Sequence, residues 1–127
     1  MIRCGWINHH KAIWLENEHI RISILPEKGG DIYEFIYKPL DIDFLMKTPA
    51  GLQPPSAKPP TNFLENYEGA WQELFPNVNN ECSYRGKSIP FHGEVALLPW
   101  SVNLIADNED TCMTKLSVLC QQTPFSI

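Results

Sequence analysis

The stretch His19 to Leu25, His-Ile-Arg-Ile-Ser-Ile-Leu, constrains this chain more than any other. Ile20, Ile22 and Ile24 alternate strictly with His19, Arg21 and Ser23, the two-residue period of a strand with one face buried. All three apolar residues are β-branched, which favours extended backbone over helix. Pro26-Glu27-Lys28-Gly29-Gly30 ends the strand, and the paired glycines can turn with positive φ at no steric cost. Asp31 to Lys38 resumes the alternation, with Ile32, Glu34, Ile36 and Lys38 set against Asp31, Tyr33, Phe35 and Tyr37. Strands joined by turns, without a strongly amphipathic helix anywhere, predict an all-β antiparallel β-sandwich.

The remaining segments fit that class. Ala12 to Leu15 is a short apolar strand closed by the turn Glu16-Asn17-Glu18, and Asp43 to Lys47 is a further short strand candidate. Residues 48–61 carry five prolines, Pro49, Pro54, Pro55, Pro59 and Pro60, and no apolar period. They read as a long surface loop rather than a linker, because the segments on either side are too short to hold cores of their own. Asn62 to Tyr67 predicts a brief helix, and Ser83 to Ile89 a hairpin around Arg85-Gly86-Lys87. Trp100 to Ala106 and Met113 to Cys120 form another hairpin around Asp107-Asn108-Glu109-Asp110. Phe125-Ser126-Ile127 resembles a strand cut short, so residues 1–127 are expected to be a single domain that is the N-terminal part of a larger sandwich. Its open sheet edge would invite a homo-oligomer.

With 43% hydrophobic and 20% charged residues, the composition is that of a folded domain. No apolar run approaches the roughly 20 residues of a membrane helix, and the first ten residues lack the apolar stretch of a secretory signal. A cytoplasmic protein is expected. The net charge of −5 disfavours nucleic acid and anionic membrane as partners, since both are gripped by clustered Lys and Arg. Cys4, Cys82, Cys112 and Cys120 are irregularly spaced and read as buried, reduced thiols. His9 and His10 would point to opposite sides of a strand, which suits a solvated pair and not a shared metal; no metal site is expected.

Candidate chemistry collects between Gly69 and Trp100, where aromatic rings, carboxylates, an amide, an arginine and a histidine share one loop-rich region. In Trp71-Gln72-Glu73 and His92-Gly93-Glu94, local extension would set Trp71 beside Glu73 and His92 beside Glu94. A ring beside a carboxylate is a way to hold a polyol, packing on its C–H face while charged acceptors take its hydroxyls. Trp71 and Trp100 serve either as such plates or as core. Glu94 either contacts the ligand or fixes His92. Glu73 is left undecided, and Arg85 is either a ligand contact or a solvated turn residue. Gly29-Gly30 reads as a turn former, because no helix follows to complete a phosphate cradle.

Trp71-Gln72-Glu73-Leu74-Phe75-Pro76-Asn77, then Arg85-Gly86, then Pro90-Phe91-His92-Gly93-Glu94 and Trp100, resemble in order the N-terminal part of the aldose 1-epimerase (galactose mutarotase-like) family. The resemblance implies a large antiparallel sandwich with a sugar cleft on one sheet face. It also implies interconversion of the α and β anomers of an aldose such as glucose or galactose, with no cofactor. Ring opening needs a base for the anomeric hydroxyl and an acid for the ring oxygen. By resemblance, His92 binds and polarises the sugar near the ring oxygen, and Asn77 or Arg85 makes an early polar contact. The family's general acid, a second histidine, and its general base, a glutamate, come later than Ile127, so a chain of these residues is expected to be catalytically incomplete. Two other readings stand beside this one. A non-catalytic carbohydrate-binding module would use the same residues, and a glycoside hydrolase would use Glu73 and Glu94 about 5 Å or roughly 6.5–9.5 Å apart.

Overall fold

A computed structural model describes residues 1–58 and 60–127; Pro59, within the proline-rich segment, lies outside the described residues. The chain is an all-β, antiparallel structure. Five strands form a meander in sequence order: β1 (Ile2–Ile7), β2 (His10–Glu16), β3 (Ile20–Leu25), β4 (Asp31–Tyr37) and β5 (Ile42–Asp43). Two separate hairpins follow, β6 (Cys82–Tyr84) with β7 (Lys87–Ile89), and β8 (Ser101–Asp107) with β9 (Cys112–Ser117). Single turns of 3-10 helix at Lys38–Leu40, Phe63–Asn66 and Val95–Leu97 are the helical elements of the described residues. No helix among them is long and apolar enough to cross a membrane.

The turns follow from their residues. Asn17 Oδ1 accepts the amides of His19 (2.9 Å) and Ile20 (2.8 Å), which closes the β2–β3 hairpin. Asn108 Oδ1 does the same for Asp110 and Thr111 in the β8–β9 turn. Asn62 caps the expected brief helix by accepting the Glu65 amide at 3.1 Å. β1 went unanticipated because its hairpin to β2 turns at Asn8-His9, both left-handed (φ 43° and 69°), where turns of this hand ordinarily advertise themselves with glycine.

In β3 the expected division into an apolar face and a polar face fails at its end. Ser23, Ile24 and Leu25 are all buried. The register shifts between Ser23, opposite Glu34, and Ile24, opposite Ile32, so Tyr33 is the extra residue of a bulge in β4. The expected strand from Asp43 to Lys47 shrinks to β5 and a single bridge between Lys47 and Gly69. The prolines hold residues 48–58 out of any ladder, yet the loop is tied down: Leu52 is buried with Ala12 and Leu25, and Asn8 Nδ2 donates to its carbonyl at 2.6 Å.

Two apolar clusters hold the elements together. One joins Ala12, Leu25 and Leu52, with Trp14 and Tyr33 packed against it; the other joins Val95, Trp100, Val118 and Cys120, with Phe75 and Leu116 alongside. The β3–β4 turn bridges them, since Gly29 donates to the Leu98 carbonyl and the Trp100 amide to that of Pro26. Gly29, at φ 68°, lies so close to the backbone of Ala96 that a Cβ would overlap its carbonyl. Trp100 is therefore core: 8% exposed, with its indole N–H on the Val95 carbonyl at 2.9 Å. The cysteines depart from expectation. Cys120 alone is buried, which raises its thiol pKa; Cys4 and Cys82 are exposed because each falls on the solvent side of an outer strand.

Candidate functional site

The His92 loop is built by reciprocal contacts. The His92 amide donates to the Asn79 carbonyl at 2.9 Å, and the Asn79 amide donates to His92 Nδ1 at 3.0 Å. A ring nitrogen that accepts from an amide carries no proton, so the neutral imidazole has its proton on Nε2. Among the described residues Nε2 has no partner. Phe91 lies 3.8 Å from the half-buried imidazole between ring centroids, tilted by 40°, and Phe63 packs T-shaped against it at 4.8 Å. The next residue must be glycine, because Gly93 at φ 81° pairs with Phe75 so closely that a Cβ would overlap its carbonyl oxygen.

The same backbone separates Glu94 from His92. With His92 at φ 66° and Gly93 also left-handed, the segment is not extended, and the expected shared face does not exist. Glu94 is 5% exposed and turns toward the chain's end, accepting the amides of Gln121 (2.7 Å) and Gln122 (3.0 Å) and the hydroxyl of Thr123 (3.2 Å). It makes no hydrogen bond to His92, and both carboxylate oxygens are engaged by residues 121–123. Asn77 belongs to the loop: its amide donates to the carbonyls of Asn80 (2.9 Å) and Pro90 (3.2 Å), and its buried Oδ1 has no partner.

Other candidates stay at the surface. Arg85 sits exposed in the β6–β7 turn with its guanidinium over Tyr84 at 5.3 Å. Trp71 and Glu73 are both exposed, Trp71 by 52%, while the Trp71 backbone exchanges two hydrogen bonds with Ile32. Of the two adjacent histidines only His9 is solvated; His10 is 8% exposed, its Nε2 2.8 Å from the Gln53 carbonyl, because the proline-rich loop folds over it.

Sequence reasoning missed a buried charge cluster. Lys28 Nζ donates to Asp31 Oδ2 at 2.8 Å and to Glu68 Oε2, and the carboxylates are 1% and 0% exposed. Asp31 Oδ1 and Glu68 Oε1 are buried without a conventional donor. Burial pushes the Asp31 carboxyl up to about 8; Lys28 opposes the shift, and Glu68 reinforces it both as a like charge and as a hydrogen-bond partner. Asp31 accordingly holds a proton at neutral pH. Burial alone would depress the Lys28 ammonium, but the two carboxylates outweigh it and hold it above the ordinary lysine value. The only sequence signal was three charges beside glycine turns, and nothing local says that positions forty residues apart will meet.

Lys28 and Asp31 form part of the wall of a cavity of about 240 Å³. Phe63, Tyr67 and Gln72 line it together with Pro54, Pro55 and Pro60 of the loop. Phe63 thus stands between this cavity and His92.

No family model and no curated protein matches the sequence. Among solved structures, the crystal structure of the Slr1438 protein from Synechocystis sp. PCC 6803, a structural-genomics target, is similar over 90% of this chain with a TM-score of 0.63 and 22% identity. The likeness is one of fold. The chain spans 39% of the length of that protein.

Proposed function

We propose that this chain is the N-terminal part of an aldose 1-epimerase-like sandwich and grips a monosaccharide through the His92 loop. The observation that carries the reading is the amide of Asn79 on His92 Nδ1, which fixes the ring and leaves Nε2–H as a free donor for a sugar oxygen. Phe63 and Phe91 beside it offer apolar surface for the sugar's C–H face. A donor held in this way polarises the ring oxygen and lowers the barrier to opening, but turnover also needs a proton donor and a base within reach of the anomeric centre. By the same resemblance those groups lie past Ile127. On this reading the 127 residues bind sugar without accelerating its mutarotation.

Titration of the chain with galactose and with glucose, followed by long-range imidazole nitrogen correlations, tests this directly. The Nε2 signal of His92 and the Asn79 amide are expected to move saturably. His92→Ala should weaken binding about tenfold, the equivalent of one good hydrogen bond, with the fold retained. Polarimetry on the same samples is expected to show the uncatalysed rate. Unperturbed His92 signals, or equal affinity in the alanine variant, would refute the assignment; lost stability with unchanged affinity would make His92 a structural residue.

A further inference from the structure

We propose that the chain dimerises through the open apolar face of its five-stranded sheet, packed against the same face of a second copy. The inference rests on the sheet and its register, not on the His92 loop, and it places the interface on a sheet face rather than on the sheet edge expected from the sequence.

Residues directly opposite one another on neighbouring strands share a face, so the register identifies the side chains that project together. Leu15, Ile22 and Phe35 form one row across β2, β3 and β4. Ile20, Tyr37 and Ile42 form a second, and Ile24, Ile32 and Trp71 a third. Because Ile20, Ile22 and Ile24 alternate along β3, the three rows lie on one side. Phe44 joins them, its ring centroid 5.9 Å from that of Phe35. None of these residues is charged. The other side of the sheet carries the charges, with Arg3 on Glu16 at 2.7 Å and Arg21 on Glu34 at 3.8 Å. An antiparallel sheet ordinarily gives its charged side to water and its uncharged side to a core. Here Ile24 is buried, but toward β5 the uncharged side opens to solvent: Phe44 is 64% exposed, Trp71 52% and Ile42 44%.

Charge and area point to a second copy as the occupant. A chain of net charge −5 repels its copy wherever charges face one another, and on these rows none do. Lys11, at the start of β2 on the same side, is held by Glu27 at 2.5 Å. Phe and Trp side chains carry roughly 150–250 Å² each, so Phe44 and Trp71 with their half-open neighbours present on the order of 500 Å² per copy, about 1,000 Å² for the pair. That meets the lower bound for a specific interface and predicts a weak dimer. Two identical uncharged faces complement each other across a twofold axis, in the face-to-face packing that sheets adopt at about 10 Å. The edges offer less. β5 has two residues, and at β1 the carboxylate of Asp107 already takes the Ile2 amide.

Sedimentation equilibrium of the 127-residue chain, up to about 1 mM, tests this. A reversible monomer–dimer equilibrium is expected, with a dissociation constant on the order of 10–100 μM and side-chain signals of Ile42, Phe44 and Trp71 that shift in step with it. Phe44→Glu, at a solvent-exposed position where the fold is preserved, should weaken dimerisation at least tenfold, because each dimer would enclose two unpaired carboxylates. Arg3→Gln, on the charged side, should leave the equilibrium unchanged. A chain monomeric throughout, which leaves the face to a different polypeptide, would overturn the proposal. So would association into larger species, a dimer as tight in Phe44→Glu as in the parent, or one weakened equally by Arg3→Gln.

Discussion

Replacing Lys28 by methionine is expected to destabilise the chain by about 3–5 kcal/mol at neutral pH, the usual result of removing one partner from a buried ion cluster. Against the roughly 5–15 kcal/mol that holds an ordinary domain together, this is a third or more of the total. The cause is specific. Lys28 is the cation between Asp31 and Glu68, and no other ammonium or guanidinium is recorded within 4.0 Å of either among the described residues. Methionine fills similar space, so the loss reports charge more than packing.

The pH dependence gives the same cluster a second signature. Asp31 keeps its proton in the folded chain up to about pH 8 but in the unfolded chain only to about pH 4, so between these values the folded state binds one proton more. Stability from this group therefore falls as pH rises through that window and levels above it. Lys28 acts with the opposite chemistry: its folded value is raised above 10.5, so its contribution is complete below that pH and is lost only above it. Urea denaturation of the parent at pH 5 and pH 7 should show the higher stability at pH 5, since the folded chain's extra proton on Asp31 is lost as pH rises. Asp31→Asn, which needs no proton, should flatten the fall between pH 4 and pH 8. A loss under about 1 kcal/mol at pH 7, the scale of a solvated ion pair, would show that the cluster is not sealed.

What was legible in the sequence follows from range. The β3 and β4 strands, the turns at Asn17 and Asn108 and the brief helix after Asn62 each depend on residues within a few positions of one another, and all appear, although the two faces of β3 merge at its end. The bulge at Tyr33 was invisible because alternation gives the period of a strand and not its register with a neighbour. The left-handed step through His92 and Gly93 was partly visible in the glycine, yet the reason for it, the close pairing with Phe75, spans eighteen residues. Lys28 and Glu68 are forty apart, and Glu94 meets residues twenty-seven to twenty-nine positions on. Charge type could be read at all these positions; the partner could not.

Glu94→Ala is expected to cost about 3 kcal/mol and to free the chain's last ten residues from the β8–β9 side of the molecule. The carboxylate is the acceptor for two backbone amides and a hydroxyl in the segment Gln121 to Thr123. That segment bends between two backbone pairings, Val118 with Ile127 and Cys120 with Phe125, so its own ladder has no acceptor to offer in exchange. Each unmatched buried donor costs about 1–3 kcal/mol, and the sum stays below three such terms because the segment can move toward water. Glu94→Gln keeps the shape and one acceptor oxygen but turns an –NH2 toward an amide, and should fall between the alanine variant and the parent. Hydrogen exchange reads the effect where it arises: the Gln121 and Gln122 amides should lose protection in the alanine variant well before the β2–β3 amides do. Sugar-dependent shifts at His92 should survive in Glu94→Gln, since the two side chains leave the backbone in different directions. A Glu94→Ala chain as stable as the parent, with those shifts abolished, would instead make Glu94 a ligand to the sugar and return it to the role its neighbour suggested.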